Sequence, residues 1–267
     1  FDVSSPASPK EVGAAYVMNY AFEVAVSGRY AYIAAAGAGL LIADVSNPAR
    51  PVEVGTLDTP GYAYGVAAAG ATVYVADGWE GLRAVNVADP QRPVQVGSFK
   101  TPGWAFGVAV SGNLLCVADA FKGLRVLDAA RLTELGGYEV AGGHAGNVAV
   151  AGSMAYVADR NWGLHAVSVS DRARAARVGF YGPLGYADAV AVAGNYAYVA
   201  AGTYGLRVVD VSDPSRPRQL GAYDTESFAT SVAVVGEYAY VATTNPPDVY
   251  QGLHVVDVRD PARPVRV

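Results

Sequence analysis

The chain has 267 residues, 52% of them apolar and 16% charged, with a formal net charge of −5. That composition supplies a large core for one domain, and the acidic balance, with no basic stripe, argues against nucleic-acid binding. No apolar run of about 18 residues is free of turn signals, which argues against a membrane-spanning helix, and the single cysteine rules out an internal disulfide.

From the first residues onward the chain repeats itself. Gly-Leu recurs at Gly39-Leu40, Gly81-Leu82, Gly123-Leu124, Gly163-Leu164, Gly205-Leu206 and Gly252-Leu253, at steps of 42, 42, 40, 42 and 47 residues. A second series, Gly28, Gly70, Gly112, Gly152, Gly194 and Gly236, follows small apolar segments. A third, Gly13, Gly55, Gly97, Gly136, Gly179 and Gly221, keeps step within a few positions. Within the unit that starts at Ala63, Tyr64–Ala69, Ala71–Ala76, Leu82–Val87 and Val94–Phe99 alternate or run apolar between turn residues, which predicts four short strands. A period of about 40 to 45 residues built of such strands predicts a β-propeller. The expected fold is all-β, with six blades of four antiparallel strands in a single domain. Its units cover about 21–62, 63–104, 105–144, 145–186, 187–228 and 229–267, the last completed by 1–20.

The third and fourth strands are joined by Asn47-Pro48…Pro51, Asp89-Pro90…Pro93, Asp213-Pro214…Pro217 and Asp260-Pro261…Pro264. The Asx side chain closes a turn on the backbone ahead of it, and proline presets φ while removing a donor. Units three and four lack the prolines, at Ala129–Leu132 and Ser170–Ala173, and are expected to turn least regularly. The long last step of the Gly-Leu series places an insertion at Thr243–Gln251, where the repeat departs most from symmetry.

The stretches Gly205-Leu206-Arg207-Val208-Val209-Asp210-Val211-Ser212-Asp213-Pro214 and Gly252-Leu253-His254-Val255-Val256-Asp257-Val258-Arg259-Asp260-Pro261 resemble the LVIVD repeat. That motif forms propellers and is found mainly in exported and surface-attached proteins of bacteria and archaea. The resemblance covers nearly the whole chain and carries no catalytic residues. It implies a secreted or surface-exposed scaffold. The chain starts at Phe1 with no initiator methionine and no basic or apolar leader segment, so any export signal is expected to have been removed or to lie outside this sequence.

The two ends carry the same half-unit, since Phe1–Val12 aligns with Val256–Val267. A closed ring needs one copy. The expected closure has Lys10–Val17 as the outer strand of the last blade, beside strands near 232, 240 and 255, which protects the edges. The alternative is a piece of a seven-bladed or longer array.

Two aromatic series fall in loops of one face. Tyr20, Tyr62, Trp104, His144, Tyr186 and Phe228 precede the first strand of each unit, and Trp79, Phe121, Trp162, Tyr204 and Tyr250 lie between second and third strands, with only Ala36-Gly37-Ala38 in unit one. The favoured reading of the first series is packing between blades, large against small; the other is a collar of rings able to stack on sugars or apolar groups. The second series is harder to assign to a core. The ligand-facing candidates are therefore Trp79, Phe121, Trp162, Tyr204, Tyr250, Trp104, His144 and Tyr186.

Catalytic signals are sparse. Glu23, Asn147 and Asp188 on first strands, with Asp224 and Glu226 nearby, are the only side chains a channel-mouth hydrolase or lactonase would draw on, and His144, His165 and His254 show no metal-ligand spacing. No catalytic residue, metal or cofactor is assigned. Asp77 with Arg83, Asp119 with Arg125 and Asp159 with His165 read as cross-strand pairs rather than a cation site, and Cys116 reads as a small buried hydrophobe. The expected role is a non-catalytic secreted or cell-surface module that binds a protein or glycan through the aromatic face. The alternatives are a building block of a larger extracellular assembly and a channel-mouth enzyme. Trp79→Ala or Trp162→Ala separates the first two, and metal content with activity screens isolates the third.

Overall fold

A computed structural model describes residues 1–17, 20–182, 185–244 and 252–267. Six four-stranded antiparallel sheets follow in chain order, each made of consecutive strands. Blade 2 is representative, with strands Gly65–Ala69, Thr72–Ala76, Leu82–Asn86 and Val94–Phe99. The first strands of blades 1 to 6 are Glu23–Ser27, Gly65–Ala69, Gly107–Ser111, Ala145–Ala151, Ala189–Ala193 and Phe228–Val235. They line the axis of a six-bladed β-propeller, each in contact with the next from blade 1 through blade 6.

The three glycine series each have a mechanical reason. Ser27 pairs with Tyr30 across a two-residue turn, and Gly28 at its first position has φ +60°, the conformation a tight hairpin of this kind asks of that position. Gly81 of the Gly-Leu series has φ +81°, and a Cβ there would stand 2.4 Å from the Phe99 carbonyl oxygen, so no side chain fits. The leucine that follows is fully buried in five blades, at Leu40, Leu82, Leu124, Leu164 and Leu206. Each such side chain contributes about 1.5 to 3 kcal/mol of burial.

The turn between third and fourth strands behaves as its residues predict. Asn47, Asp89, Asp213 and Asp260 accept hydrogen bonds from the amides two residues on, at 3.0–3.1 Å. Units three and four depart, as expected. Leu132 takes φ +53°, and Asp171 caps a short 3-10 helix, Arg172–Arg174. In blades 1 to 5 the third and fourth strands are offset by a bulge, which increases their twist.

Five of the six seams between blades are filled by buried side chains. Tyr32, Ile42, Val66, Val73 and Val85 join blades 1 and 2, and Leu82, Val108, Leu115 and Leu127 join blades 2 and 3. Comparable clusters join blades 3 and 4, 4 and 5, and 5 and 6. Cys116 is buried in the third of these seams, as its apolar context predicted, and burial pushes its thiol up to about 12. Among the described residues no such cluster spans blades 6 and 1. A cleft of about 580 Å³ lies there, lined by Val17, Phe22, Val24 and Ile33 on one side and Val232 and Ala242 on the other.

The expected closure by Lys10–Val17 is therefore corrected. The outer strand of blade 6 is Val265–Arg266, paired with Val256 and Asp257. Both copies of the half-unit suit that place. The carboxy-terminal copy reaches it through a short local turn, and a short loop costs less entropy to close than bringing in the far end of the chain. The amino-terminal segment instead packs on blade 1. Gly13 lies against Pro48 and Ala49 much as Gly55 lies against Pro90 and Gly221 against Pro261, and Val17 packs on Ala35, Leu41 and Ala43.

Candidate functional site

One face of the propeller carries the loops that enter the first strands and those between second and third strands. Buried aspartates tie the two sets together. Asp77, Asp119 and Asp159 accept hydrogen bonds from the amides of Gly61, Gly103 and His144 at 2.9–3.1 Å. Neighbouring blades are stitched by backbone bridges at the same level, Ala36 with Ala63, Gly78 with Ala105, Ala120 with Ala145 and Gly202 with Ala229. Two of these bridges set a loop aromatic of one blade beside the entry aromatic of the next. Trp79 lies 5.9 Å from Trp104, and Phe121 meets His144 edge-on at 4.9 Å.

The favoured reading of the entry series, packing between blades, is corrected. Tyr20, Tyr62, Trp104 and Tyr186 stand in solvent, while the alanines one position on, Ala63, Ala105, Ala145, Ala187 and Ala229, are fully buried. The seam at that level is too narrow for a ring, and the alternation hands the inner place to the methyl group. Phe228 and His144 are half-buried. In the second series Trp79, Phe121, Trp162 and Tyr204 are 60%, 68%, 47% and 52% exposed, so they do not fold down into the core. Tyr250 and most of the Thr243–Gln251 insertion lie outside the described residues.

The densest part of this aromatic surface is a groove of about 730 Å³ over blades 1 to 3, walled by Tyr62, Trp79 and Trp104 and floored by Asp58, Thr59 and Gly61. Lys100 lies over the Trp79 ring, 5.5 Å from its centre. Rings held by buried aspartates and bridged loops lose little freedom on binding, which favours a docking role.

Tyr64 also lines a second cavity, of about 260 Å³, at the channel mouth, with Phe22, Glu23, Phe106, Asn147, Arg160, Asp188 and Thr230. Three predicted polar residues meet here. Glu23 reaches across the axis, accepting from the Val66 amide at 2.9 Å and from Asn147 Nδ2 at 3.4 Å. Burial pushes its carboxyl up to about 7, against these two hydrogen bonds. Asn147 Oδ1 accepts from the Val190 amide at 3.3 Å. Asp188 pairs with Arg160 Nε at 2.7 Å; burial raises its pKa while that guanidinium opposes the rise. Asp224 and Glu226 are not brought in: they are exposed, joined by a local hydrogen bond of 2.9 Å.

Arg160 and the rings Phe22, Tyr64 and Phe106 were missed. The signal was present. Ala36, Gly78, Ala120, Arg160, Gly202 and Thr244 are equivalent, and only one of them is large. Phe22, Tyr64, Phe106, Gly146, Asp188 and Thr230 are also equivalent, aromatic through blade 3 and not beyond. The mouth therefore has an aromatic half and a polar half.

Two of the three expected side-chain pairs are corrected. Asp77 does pair with Arg83, at 3.1 Å and buried. Arg125 instead turns to Glu134 on the adjoining fourth strand, leaving Asp119 to the Gly103 amide, with burial raising its pKa. His165 is fully buried between Tyr138 and Phe180, and desolvation lowers it to about 4, so Asp159, 4.0 Å away, faces a neutral ring. His254 meets the Tyr223 hydroxyl at 3.1 Å. Among the described residues no three His, Cys, Asp or Glu side chains converge as metal ligands, and no helix is long and apolar enough to cross a membrane.

The family model of the LVIVD repeat matches six times, at residues 19–59, 60–101, 102–135, 142–181, 184–225 and 228–267. The chain belongs to the LVIVD-repeat family. No curated protein matches this LVIVD-repeat chain. Among solved structures it is similar to the WD40 repeats of RRP9 (TM-score 0.72, 11% identity, 90% of this chain and 76% of that one). It is also similar to the β-propeller domain of Myceliophteria thermophila Cps50 (Swd1) (0.70, 12%, 93% and 86%) and to the computationally designed Ika8 protein (0.68, 11%, 91% and 72%). At such identities the likeness is one of fold: an LVIVD-repeat propeller presents loops on its faces.

Proposed function

We propose that this LVIVD-repeat propeller is a non-catalytic interaction module, secreted or displayed at the cell surface, that docks a protein or glycan in the Tyr62–Trp79–Trp104 groove. The observation that carries the reading is the exposure of these three rings around one cleft on preorganised loops. Trp and Tyr present a large amphipathic area at low entropic cost and dominate binding energy where they cluster. The extracellular setting rests on the family resemblance. Support for the absence of catalysis comes from the channel mouth, where Arg160 and the Val190 amide already engage Asp188 and Asn147.

The test is a glycan array and a displayed-peptide library probed with the purified propeller. Trp79→Ala or Trp104→Ala is expected to weaken the selected ligand by about 2 kcal/mol or more, roughly thirtyfold, with unchanged thermal stability. Equal binding by both variants would remove the groove from the reading. A scaffold that only builds assemblies would select no ligand in either format.

A further inference from the structure

The channel mouth holds two carboxylates, and among the described residues a cation pairs with only one. On the polar side Asp188 binds Arg160, whose guanidinium lies over the rings of Phe106 and Tyr186 at 5.2 and 5.6 Å. There a carboxylate and two aromatic faces surround one cation, an arrangement that favours positive charge. On the opposite side Glu23 shares the cavity lining with Phe22, Tyr64 and Phe106, the rings of Phe22 and Tyr64 packed 4.8 Å apart and Tyr64 in turn 4.8 Å from Phe106. Its only partners among the described residues are the Val66 amide and the Asn147 side chain. Beside it lies the cavity of about 260 Å³.

We propose that this cavity binds a primary alkylammonium group, with the Glu23 carboxylate as its counter-ion and Phe22, Tyr64 and Phe106 around its methylene chain. The volume is below that of sites for drug-sized ligands, typically about 300 to 1,000 Å³, and suits a short amine. An anion is disfavoured, because among the described residues the one cation of the lining, Arg160, is already paired and two carboxylates stand near it. A hard metal ion would want six or more oxygens, whereas among the described residues no three His, Cys, Asp or Glu side chains converge here, and Asn147 Oδ1 and Asp188 Oδ1 already have partners. The ammonium arrives either on a free small amine or on a lysine of a protein seated on the aromatic face, since Tyr64 is shared with the groove. The site stands independently of what the groove docks.

Charge state gives the binding its pH dependence. The groups facing the cavity are Glu23, Asp188, Arg160 and the Tyr64 phenol. Asp188 and Arg160 are paired with each other, and burial raises the Tyr64 phenol. Glu23, near 7, is the group that changes. Affinity therefore rises with pH as the carboxylate forms.

The experiment titrates the propeller with n-butylammonium, with neutral n-butanol and with acetyl-Gly-Lys-Gly-amide by calorimetry at about pH 8 and about pH 5. The proposal expects n-butylammonium, the lysine peptide or both to bind at least about tenfold more tightly than n-butanol at the higher pH, and to lose that preference at the lower one. Binding of the free amine assigns the site to small amines, and binding of the peptide alone assigns it to a docked lysine. Glu23→Gln should abolish the preference while Trp79→Ala leaves it intact. Equal binding of amine, peptide and alcohol, binding of none, or full retention in Glu23→Gln overturns the proposal. The wild-type comparison of cation with alcohol decides the matter even if the variant fails to fold.

Discussion

The seam between blades 2 and 3 and the seam between blades 6 and 1 are made by the same repeat, yet one is dry and the other is a cleft. Val108, on the first strand of blade 3, is 5% exposed against blade 2; Val24, its equivalent on blade 1, is 59% exposed toward blade 6. Behind Val108 stand Leu115 and Leu127, both fully buried. Behind Val24 stand Ile33, half-buried, and the amino-terminal Val17. A repeat specifies its own four strands through local pattern. The stability of the array also needs each interface with a neighbour, and here the amino-terminal segment packs on blade 1 where the other seams have a facing blade.

The contrast can be broken by substitution. Leu82→Ala in the filled seam is expected to cost about 2 to 5 kcal/mol, read from the denaturant midpoint at constant slope. Gly221→Ala should cost about 1 to 3 kcal/mol, because the new Cβ would stand 2.2 Å from the Pro261 oxygen and the outer strand must shift. Acid sharpens it next. His165 is lowered to about 4 by burial from an ordinary 6.5, so it contributes stability above pH 6.5 that is lost as pH falls through 4. His165→Phe should flatten that part of the stability curve, and a slope unchanged by the substitution would assign the acid loss elsewhere. Smallest of all, Val24→Ala should change stability by less than about 0.5 kcal/mol, as for other exposed positions. A loss comparable with Leu82→Ala would mean that the sixth seam closes in solution.

The blades were legible because the turn glycines and Asx-Pro turns act locally and recur with the period of the repeat. The closure was not legible, because Phe1–Val12 and Val256–Val267 are alike in sequence and only connectivity chooses between them. Both aromatic loop series were legible, but the entry series was expected to pack between blades: alternation tells which residues share a side, and the width of the seam decides whether an alanine or a ring enters it. Arg125 was assigned to Asp119 because the two flank one hairpin, and Glu134 competes from a strand whose bulged register the sequence does not announce. Arg160 is hard to read from the repeat, because the channel mouth is made by residues that break the recurrence.

The lone thiol offers a clock for these seams. Cys116 is closed off between blades 3 and 4, with a pKa pushed to about 12, so a thiol-modifying reagent reaches it only when those blades part. Its labelling rate under native conditions therefore times the breathing of a filled seam. A cysteine placed at Val24 in a Cys116→Ala background would time the unfilled one, and the ratio of the two rates would measure how unevenly the disc holds together.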